Sequence, residues 1–232
     1  PGRVVGAGPR GRTRRRRDVA LTALKILANG HPQYDQAGWY APLHMEITPI
    51  GPSSDVVTEI AYSSFVGLLI RASAVDRVGL PASDFFIWYD DVEYCMRLAR
   101  IGRLYLVRSS RIVHHATSTG TTGVGGEKPW RNRPLHYYWR YYYWHRNRML
   151  IVRKHAASSA ERVRGYFVGF YRVVRHAVST VLYDKTGKSV RLCLLGRAFV
   201  HGLFGRSGKI VDPAYFASPD QRVGASDASG ST

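Results

Sequence analysis

The sequence predicts an α/β fold followed by a basic, aromatic-rich helical C-terminal region. Between residues 56 and 113, short β-branched or aromatic runs alternate with short runs of helical spacing, which is typical of α/β proteins. Residues 130–154 interleave tyrosine and tryptophan with arginine and lysine. Residues 160–182 place apolar side chains at intervals of about 3.6 residues, which predicts a long amphipathic helix.

The charge balance limits the classes of partner. The 232 residues hold 34 Lys and Arg against 16 Asp and Glu, a net charge of +18. Such a surface attracts polyanions, whether nucleic acid, phospholipid headgroups or a phosphate-bearing substrate. The two cysteines exclude a disulfide scaffold and a four-cysteine zinc module. No apolar run reaches the length of about 18 residues that spans a bilayer, and no secretory signal is recognisable, so we expect a cytoplasmic protein.

The first 55 residues form a basic, loop-rich N-terminal segment in this interpretation. Seven arginines lie within residues 1–17. A helix is predicted for residues 18–28, with Asp18 as its N-cap and apolar side chains at Leu21, Leu24, Ile26 and Leu27. Residues 29–55 are rich in glycine, proline and polar residues and are predicted to be mostly loop.

The α/β part begins after that segment. Residues 56–70 predict a strand, a turn and a second buried strand. Residues 72–78 predict a short helix that ends at Gly79. The aromatic residues 85–89 are predicted to be extended.

A second helix and two further strands complete this part. Residues 92–101 have helical spacing, and Gly102 ends the helix. Residues 104–107 and 111–113 predict short strands, and a Gly/Thr/Ser-rich loop follows them. We assign residues 56–128 to this unit.

The composition changes after residue 129, and we assign residues 129–217 to a helical region. Its longest predicted helix, residues 160–182, carries an apolar stripe of Val163, Phe167, Phe170, Val174, Val178 and Val181. A further apolar and basic stretch covers residues 190–204. The tail, residues 218–232, has a composition typical of disorder.

An acidic and aromatic junction is the strongest candidate for a site. Three carboxylates follow an aromatic run at the predicted start of a helix: Asp90, Asp91 and Glu93 after Phe85, Phe86, Trp88 and Tyr89. Carboxylates at this position are stabilised by the free N–H groups of the helix, so a capping role alone is one interpretation. The aromatic residues suit packing against a sugar ring as well as a protein core. The pair His114-His115 follows a strand downstream, which makes the junction a candidate active site.

The ordered set of these segments resembles the C-terminal half of a family 2 glycosyltransferase of the bacterial rhamnosyltransferase or galactofuranosyltransferase type. The matching segments are residues 65–71, 75–79, 85–94, 97–98 with Gly102, 112–115, 143–147 and 202–209. The resemblance implies the acceptor-side half of a GT-A-like fold. It also implies inverting transfer of a sugar from a nucleotide-diphosphate donor to a cell-envelope glycan or a lipid-linked acceptor.

The resemblance also implies roles for individual residues. Asp91 is expected to be the catalytic base that takes the proton of the acceptor hydroxyl. Asp90, Trp88 and Tyr89 are expected to contact the acceptor. His114, rather than its neighbour His115, is expected to bind a divalent cation, Mg²⁺ or Mn²⁺.

Two further expectations concern Glu93 and the donor-binding site. Glu93 is expected to be structural, pairing with Arg97 four residues later on the helix. The family's Asp-x-Asp, which holds metal and diphosphate, is absent from the sequence, so the donor-binding residues are unassigned. We therefore interpret residues 1–55 as the remnant of a truncated donor half, or the chain as a decayed relative, and expect this chain alone to be inactive.

Residues 130–154 have three interpretations. They could form a stacking platform for single-stranded nucleic acid. They could form a partly buried helix with Tyr138, Tyr142, Arg146 and Met149 on one stripe. We favour a membrane interface, where aromatic and cationic side chains lie together at headgroup level.

The amphipathic basic helix that follows is typical of a segment lying on a membrane. We therefore predict a peripheral location on the inner face of the plasma membrane. A non-enzymatic basic protein that binds nucleic acid or membrane is the alternative function.

Overall fold

The computed structural model describes residues 18–27, 29–41, 46–114 and 135–216. These residues form a mixed α/β structure with five α-helices and two small sheets. The strands are β1 (Asp18–Ile26), β2 (Ala37–Ala41), β3 (Glu46–Pro49), β4 (Val57–Ile60), β5 (Tyr62–Ser63), β6 (Leu68–Ile70) and β7 (Arg103–Val113). The helices are α1 (Ala72–Val78), α2 (Asp90–Ile101), α3 (Trp139–His155), α4 (Ser159–Tyr183) and α5 (Lys188–Leu203).

The larger sheet has the strand order β4-β7-β1-β6. Its two central strands, β1 and β7, are parallel, and both outer strands pair with them in the antiparallel sense. Helices α1 and α2 pack against this sheet through a core that includes Leu24, Tyr94, Leu98 and Leu106. The smaller sheet, β3-β2-β5, is antiparallel, and its strand β5 contacts α2.

The helix predicted for residues 18–28 is wrong, because residues 18–26 form the central strand β1. The register of β1 against β7 shifts between Asp18 and Ala20 and again between Ala23 and Leu24. These shifts bury adjacent pairs of residues and so remove the simple alternation by which a strand is recognised. The resulting apolar spacing imitates that of a helix.

The prediction of mostly loop for residues 29–55 is also wrong in part, since β2 and β3 lie there. Both strands are short, and β3 ends at a proline. Their pairing partners, rather than their own β-propensity, decide their conformation.

Several predicted elements are confirmed. Helix α1 ends at Gly79, and α2 ends at Gly102, as the two glycines indicated. Residues 56–70 were predicted to form two strands, and they form three, β4, β5 and β6. The burial predicted for the second strand is wrong for β6, where Leu69 is 69% exposed. The two strands predicted between residues 104 and 113 are one longer strand, β7.

Helix α3 is a core helix. Its tyrosines Tyr141, Tyr142 and Tyr143 are buried, as is Tyr138 just before it, and they pack against α4 and α5. The partly buried stripe of Tyr138, Tyr142, Arg146 and Met149 is therefore confirmed. The favoured interface interpretation is wrong for these rings, and so is the nucleic-acid platform, because both need exposed rings.

Helix α4 has its apolar side chains on the outside. Phe167 is 69% exposed and Phe170 is 51% exposed, and Val163, Val174, Val178 and Val181 are exposed with them. The buried face has one apolar residue, Val173, and is otherwise small or polar, with Gly165, Gly169, His176, Ser179 and Thr180. A Cβ added at Gly165 would lie 2.6 Å from the Val152 side chain, so glycine is what lets α4 approach α3 this closely.

Within the described ranges, no helix combines the length and the apolar character that crossing a bilayer requires. The loop predicted at residues 117–126 and the tail from residue 218 lie outside the described residues.

Candidate functional site

The turn that leads into α2 has an unusual backbone. Residues 85–89 were predicted to be extended, but Phe86, Trp88 and Tyr89 have φ angles of 67°, 62° and 66°. This left-handed region costs a non-glycine residue about 1–3 kcal/mol, and it persists only where the surrounding structure holds it. The extended prediction is therefore wrong, because contacts from elsewhere in the chain fix this turn.

Those contacts come from α3. The fully buried Asn147 donates from Nδ2 to the carbonyl oxygens of Phe85, Ile87 and Trp88 at 3.0, 2.8 and 2.8 Å. Its neighbour Arg146 donates to the Phe85 carbonyl at 3.0 Å. One amide thus links three carbonyl groups of the turn to the helical region.

The turn places Asp91 in the first turn of α2. Its Oδ1 accepts a hydrogen bond from the Val92 N–H at 2.7 Å, and the Tyr62 hydroxyl lies 3.5 Å from Oδ2. The free N–H groups at a helix N-terminus favour an anion there.

Burial opposes ionisation of the same carboxyl. Burial, together with the negative charge of Asp90, raises the pKa of Asp91 from 3.8 to about 7, against the opposing hydrogen bonds from Val92 and Tyr62. A carboxylate with a pKa near neutrality is both available as an anion and basic enough to take a proton. Raised pKa values of this kind occur often at functional sites.

Asp91 lines a pocket of about 780 Å³. The pocket lies between the smaller sheet, the turn before α2, and the two helices α3 and α4. Its lining residues are Asp35, Gln36, Glu46, Ile47, Pro49, Tyr62, Trp88, Tyr89, Asp91, Val92, Tyr141, Trp144, Arg148, Val168, Tyr171, Arg172 and Arg175. A concave site with aromatic walls and a few converging polar groups is typical of small-molecule binding.

The residues expected to contact an acceptor divide into two groups. Trp88 and Tyr89 line the pocket with Asp91. Tyr89 is only 5% exposed, because its ring packs near Tyr40 and its hydroxyl accepts a hydrogen bond from Arg148 Nε. Asp90 does not line the pocket, but its negative charge helps to raise the pKa of Asp91.

The structural role expected for Glu93 is confirmed. Its carboxylate pairs with Arg97 at 3.0 Å and with Nε2 of His155 at 3.0 Å. Burial alone would raise the pKa of Glu93, but hydrogen bonds from His155 and Arg97 outweigh it and lower the pKa. This group therefore joins α2 to the end of α3.

His114 lies at the end of β7 and does not line the pocket. Its Nδ1 is 2.8 Å from Oε1 of Gln33, a contact in which a ring N–H donates to an amide oxygen. Among the described residues, no three His, Cys, Asp or Glu side chains come together in a way that could hold a metal ion. One imidazole does not make a divalent-cation site, so His114 alone does not fit the expected cofactor. His115 lies outside the described residues.

Lys25 is a titratable group near the site that sequence analysis missed. Only 1% of it is exposed, and its Nζ donates to Thr22 Oγ1 at 2.7 Å and to Ser63 Oγ at 2.8 Å. Burial lowers the pKa of Lys25 to about 8, against the opposing influence of Cys95 and Asp91. Its amine is thus coupled electrostatically to the carboxylate that lines the pocket.

The sequence analysis also missed the roles of Asn147 and Arg148. Asn147 stands in the segment 143–147 that carried part of the resemblance, and that was the available signal. Nothing local distinguished Arg148 from the other basic residues of α3. Its place in the pocket is decided by packing against Trp144 and Tyr89.

Comparison of the chain with protein-family models, with curated proteins and with solved structures finds no match.

Proposed function

We propose that this chain is the acceptor-side part of an inverting glycosyltransferase with a GT-A-like arrangement. The observation that carries the proposal is the position of Asp91, at a helix N-terminus and on the wall of an aromatic-lined pocket of about 780 Å³. The pocket volume and the mixture of rings and polar groups suit a sugar-sized ligand.

Asp91 is the base in the proposed reaction. Its carboxylate takes the proton of the acceptor hydroxyl while that oxygen forms a bond to the anomeric carbon of the donor sugar. The bond from the anomeric carbon to the diphosphate oxygen breaks, and the nucleoside diphosphate leaves with the electron pair. Because attack and departure occur on opposite faces, the configuration at the anomeric carbon inverts.

The pocket walls support the binding of an acceptor sugar. The apolar C–H face of a sugar ring packs against aromatic faces, and Trp88 and Trp144 are half-buried side chains that line the pocket. Tyr89 contributes the small part of its ring that is exposed. Asp90 acts on the acceptor through Asp91 in this proposal, since its charge helps to set the pKa of that base.

The predicted Mg²⁺ or Mn²⁺ stays a proposal, with His114 as one ligand. Such a cation would stabilise the charge on a departing diphosphate. The described residues do not complete its coordination, and no step above depends on it.

The test is sugar transfer by the chain completed at its N-terminus with the donor-binding half of a family 2 glycosyltransferase. We expect it to consume one nucleotide sugar from a panel and to label a glycan or lipid-linked acceptor with inverted stereochemistry. The measurement is radiolabel transfer, with the product's anomeric configuration determined by NMR. Failure to consume any donor, or a product with retained configuration, would contradict the proposal.

We further propose that α4 attaches the protein to an anionic membrane surface. Successive residues of a helix are about 100° apart, so Val163, Phe167, Phe170, Val174, Val178 and Val181 fall within one narrow stripe. This exposed apolar stripe, with basic residues such as Arg164 and Arg175 beside it, is typical of an interfacial helix. The cytoplasmic leaflet supplies the anionic charge that these arginines favour.

Removing apolar area from the stripe should release the protein from membranes. The double variant Phe167→Ser/Val174→Ser is expected to bind vesicles of phosphatidylglycerol and phosphatidylcholine about tenfold more weakly or worse than wild type, because two side chains no longer enter the acyl boundary. Flotation measures the bound fraction. Tyr215→Ser, a substitution at an 82% exposed ring outside α4, is the matched control and should float like wild type. Equal flotation of the double variant would contradict the attachment.

A further inference from the structure

The pocket wall opposite the smaller sheet is cationic. Three arginines form it, Arg148 from α3 and Arg172 and Arg175 from α4, and we call this set the arginine wall. The acidic residues that line the same pocket are Asp35, Glu46 and Asp91. Glu46 approaches Arg172 at 3.8 Å, and its side chain is 64% exposed, so this pair is a weak one.

Arg148 is the most deeply buried residue of the arginine wall. It is only 6% exposed, and it forms no ion pair with any acid of the described ranges. Its Nε donates to the Tyr89 hydroxyl, but its buried Nη1 has no hydrogen-bond partner among the described residues. A buried charged donor without a partner is costly, and such groups are therefore paired in most proteins.

The guanidinium of Arg148 is also held in a fixed place. Its Cζ lies 3.9 Å from the centre of the Trp144 ring and 5.2 Å from that of Tyr89. These contacts and the bond to Tyr89 restrict its rotation. A donor that is fixed before binding loses little entropy when it takes an anion.

A small annex extends the pocket at this wall. It has a volume of about 50 Å³ and is lined by Trp144, His145, Arg148, Arg172, Arg175 and His176. A water-sized group needs about 10–15 Å³, so the annex has room for about three to five such groups. One phosphoryl group is of that size.

The annex favours a negative ligand strongly. Burial, and then the charge of His176 and of two arginines, lowers the pKa of His145 well below its usual range. Burial, followed by the charge of Arg148, lowers the pKa of Arg172. The two guanidinium groups therefore repel each other, and an anion between them would relieve the repulsion. The two imidazoles bond within the protein: Nε2 of His145 lies 2.9 Å from Nδ1 of His176, and Nε2 of His176 lies 3.1 Å from the Tyr138 hydroxyl, so the arginines are the groups left to bind the anion.

We propose that the arginine wall binds a phosphoryl group of the same ligand whose hydroxyl Asp91 deprotonates. Arginine forks suit phosphate oxygens, and three of them exceed what a single carboxylate needs. The inference rests on the proposed function for the role of Asp91 but not for the binding of the anion. Because Asp91 deprotonates the acceptor in the proposed function, the phosphoryl ligand is the acceptor. The two arginines that α4 contributes to the wall fit an acceptor that is held at a membrane.

Calorimetric titration of the chain with inorganic pyrophosphate, in EDTA and at pH 7.5, tests the site. We expect one site, weakened about tenfold or more in Arg148→Met and in Arg175→Met, because each removes charge-assisted hydrogen bonds. Arg175 is exposed, so its variant keeps the test valid if Arg148→Met fails to fold. Arg162→Met, an exposed position on α4 outside the pocket lining, should bind like wild type. Absence of pyrophosphate binding, or equal affinity in all variants, would overturn the proposal.

Competition separates the two sources of the phosphoryl group. Farnesyl diphosphate is expected to displace pyrophosphate, and uridine diphosphate is not. Displacement by uridine diphosphate alone would overturn the acceptor assignment. Asp91→Asn should keep pyrophosphate binding while it loses sugar transfer. In the wild type, binding without sugar transfer would contradict only the glycosyltransferase proposal, and transfer without binding would contradict only the arginine wall.

Discussion

Asp91→Asn in the N-terminally completed chain is expected to lower sugar transfer by about 10²–10⁴-fold, because the amide cannot take the acceptor proton. In the wild type, kcat/KM should rise with pH and level off above an apparent pKa near 7, since the anionic form of Asp91 is the active one. Asp76→Asn, at an exposed position on α1, is the matched control and should keep wild-type activity. Transfer by Asp91→Asn at more than about a tenth of the wild-type rate would remove Asp91 from the mechanism.

The same variant should be more stable than wild type at high pH. The pKa of Asp91 is raised in the folded state, to about 7 from 3.8, so the folded protein holds a proton that the unfolded chain has already lost. Stability therefore falls as pH rises between these two values and stays reduced above them. Thermal unfolding should show a gain for Asp91→Asn that is small at pH 5 and reaches several degrees at pH 8. A gain that does not change with pH would show that the carboxyl is not buried as described.

Asn147→Ala is expected to destabilise the protein by about 3–5 kcal/mol. It leaves the carbonyl oxygens of Ile87 and Trp88 without this donor, at about 1–3 kcal/mol for each buried group, while Phe85 keeps its bond from Arg146. It also releases a left-handed backbone that needs support. The midpoint of thermal unfolding should fall by about 10 °C, at about 2–4 °C for each kcal/mol. Asn29→Ala, which removes one exposed hydrogen bond to the His31 N–H, should change the midpoint little. A midpoint for Asn147→Ala within about 2 °C of wild type would contradict this account of the turn.

Local signals predicted the parts of the fold that local forces determine. Helix α2 could be located because acidic residues stand at its start and Gly102 ends it. The candidate base was found for the same reason, since a carboxylate that follows an aromatic run is visible in the sequence. Helix α4 was found from its periodicity, but the face that it buries was not, because glycine and small polar residues face α3 in place of the apolar stripe.

Long-range contacts determine what the sequence did not predict. Strand β1 depends on its pairing with β7, about 85 residues away, and its register shifts disguise its pattern. The left-handed turn depends on a hydrogen-bonding amide about 60 residues later in the chain, and the aromatic residues of the turn give no sign of it. Arg148 is one of 34 basic residues, and only the folded arrangement shows which of them line the pocket.

The dependence of the turn on Asn147 has a consequence for engineering. Residues 85–91 keep their conformation only together with α3, although about 50 residues separate the two segments in the chain. A chimaera that exchanges the helical region for that of another protein would keep Asp91 but lose the contacts that hold its turn in place. Crossover points in recombined enzymes therefore belong before the turn or after α3, with both pieces taken from the same parent.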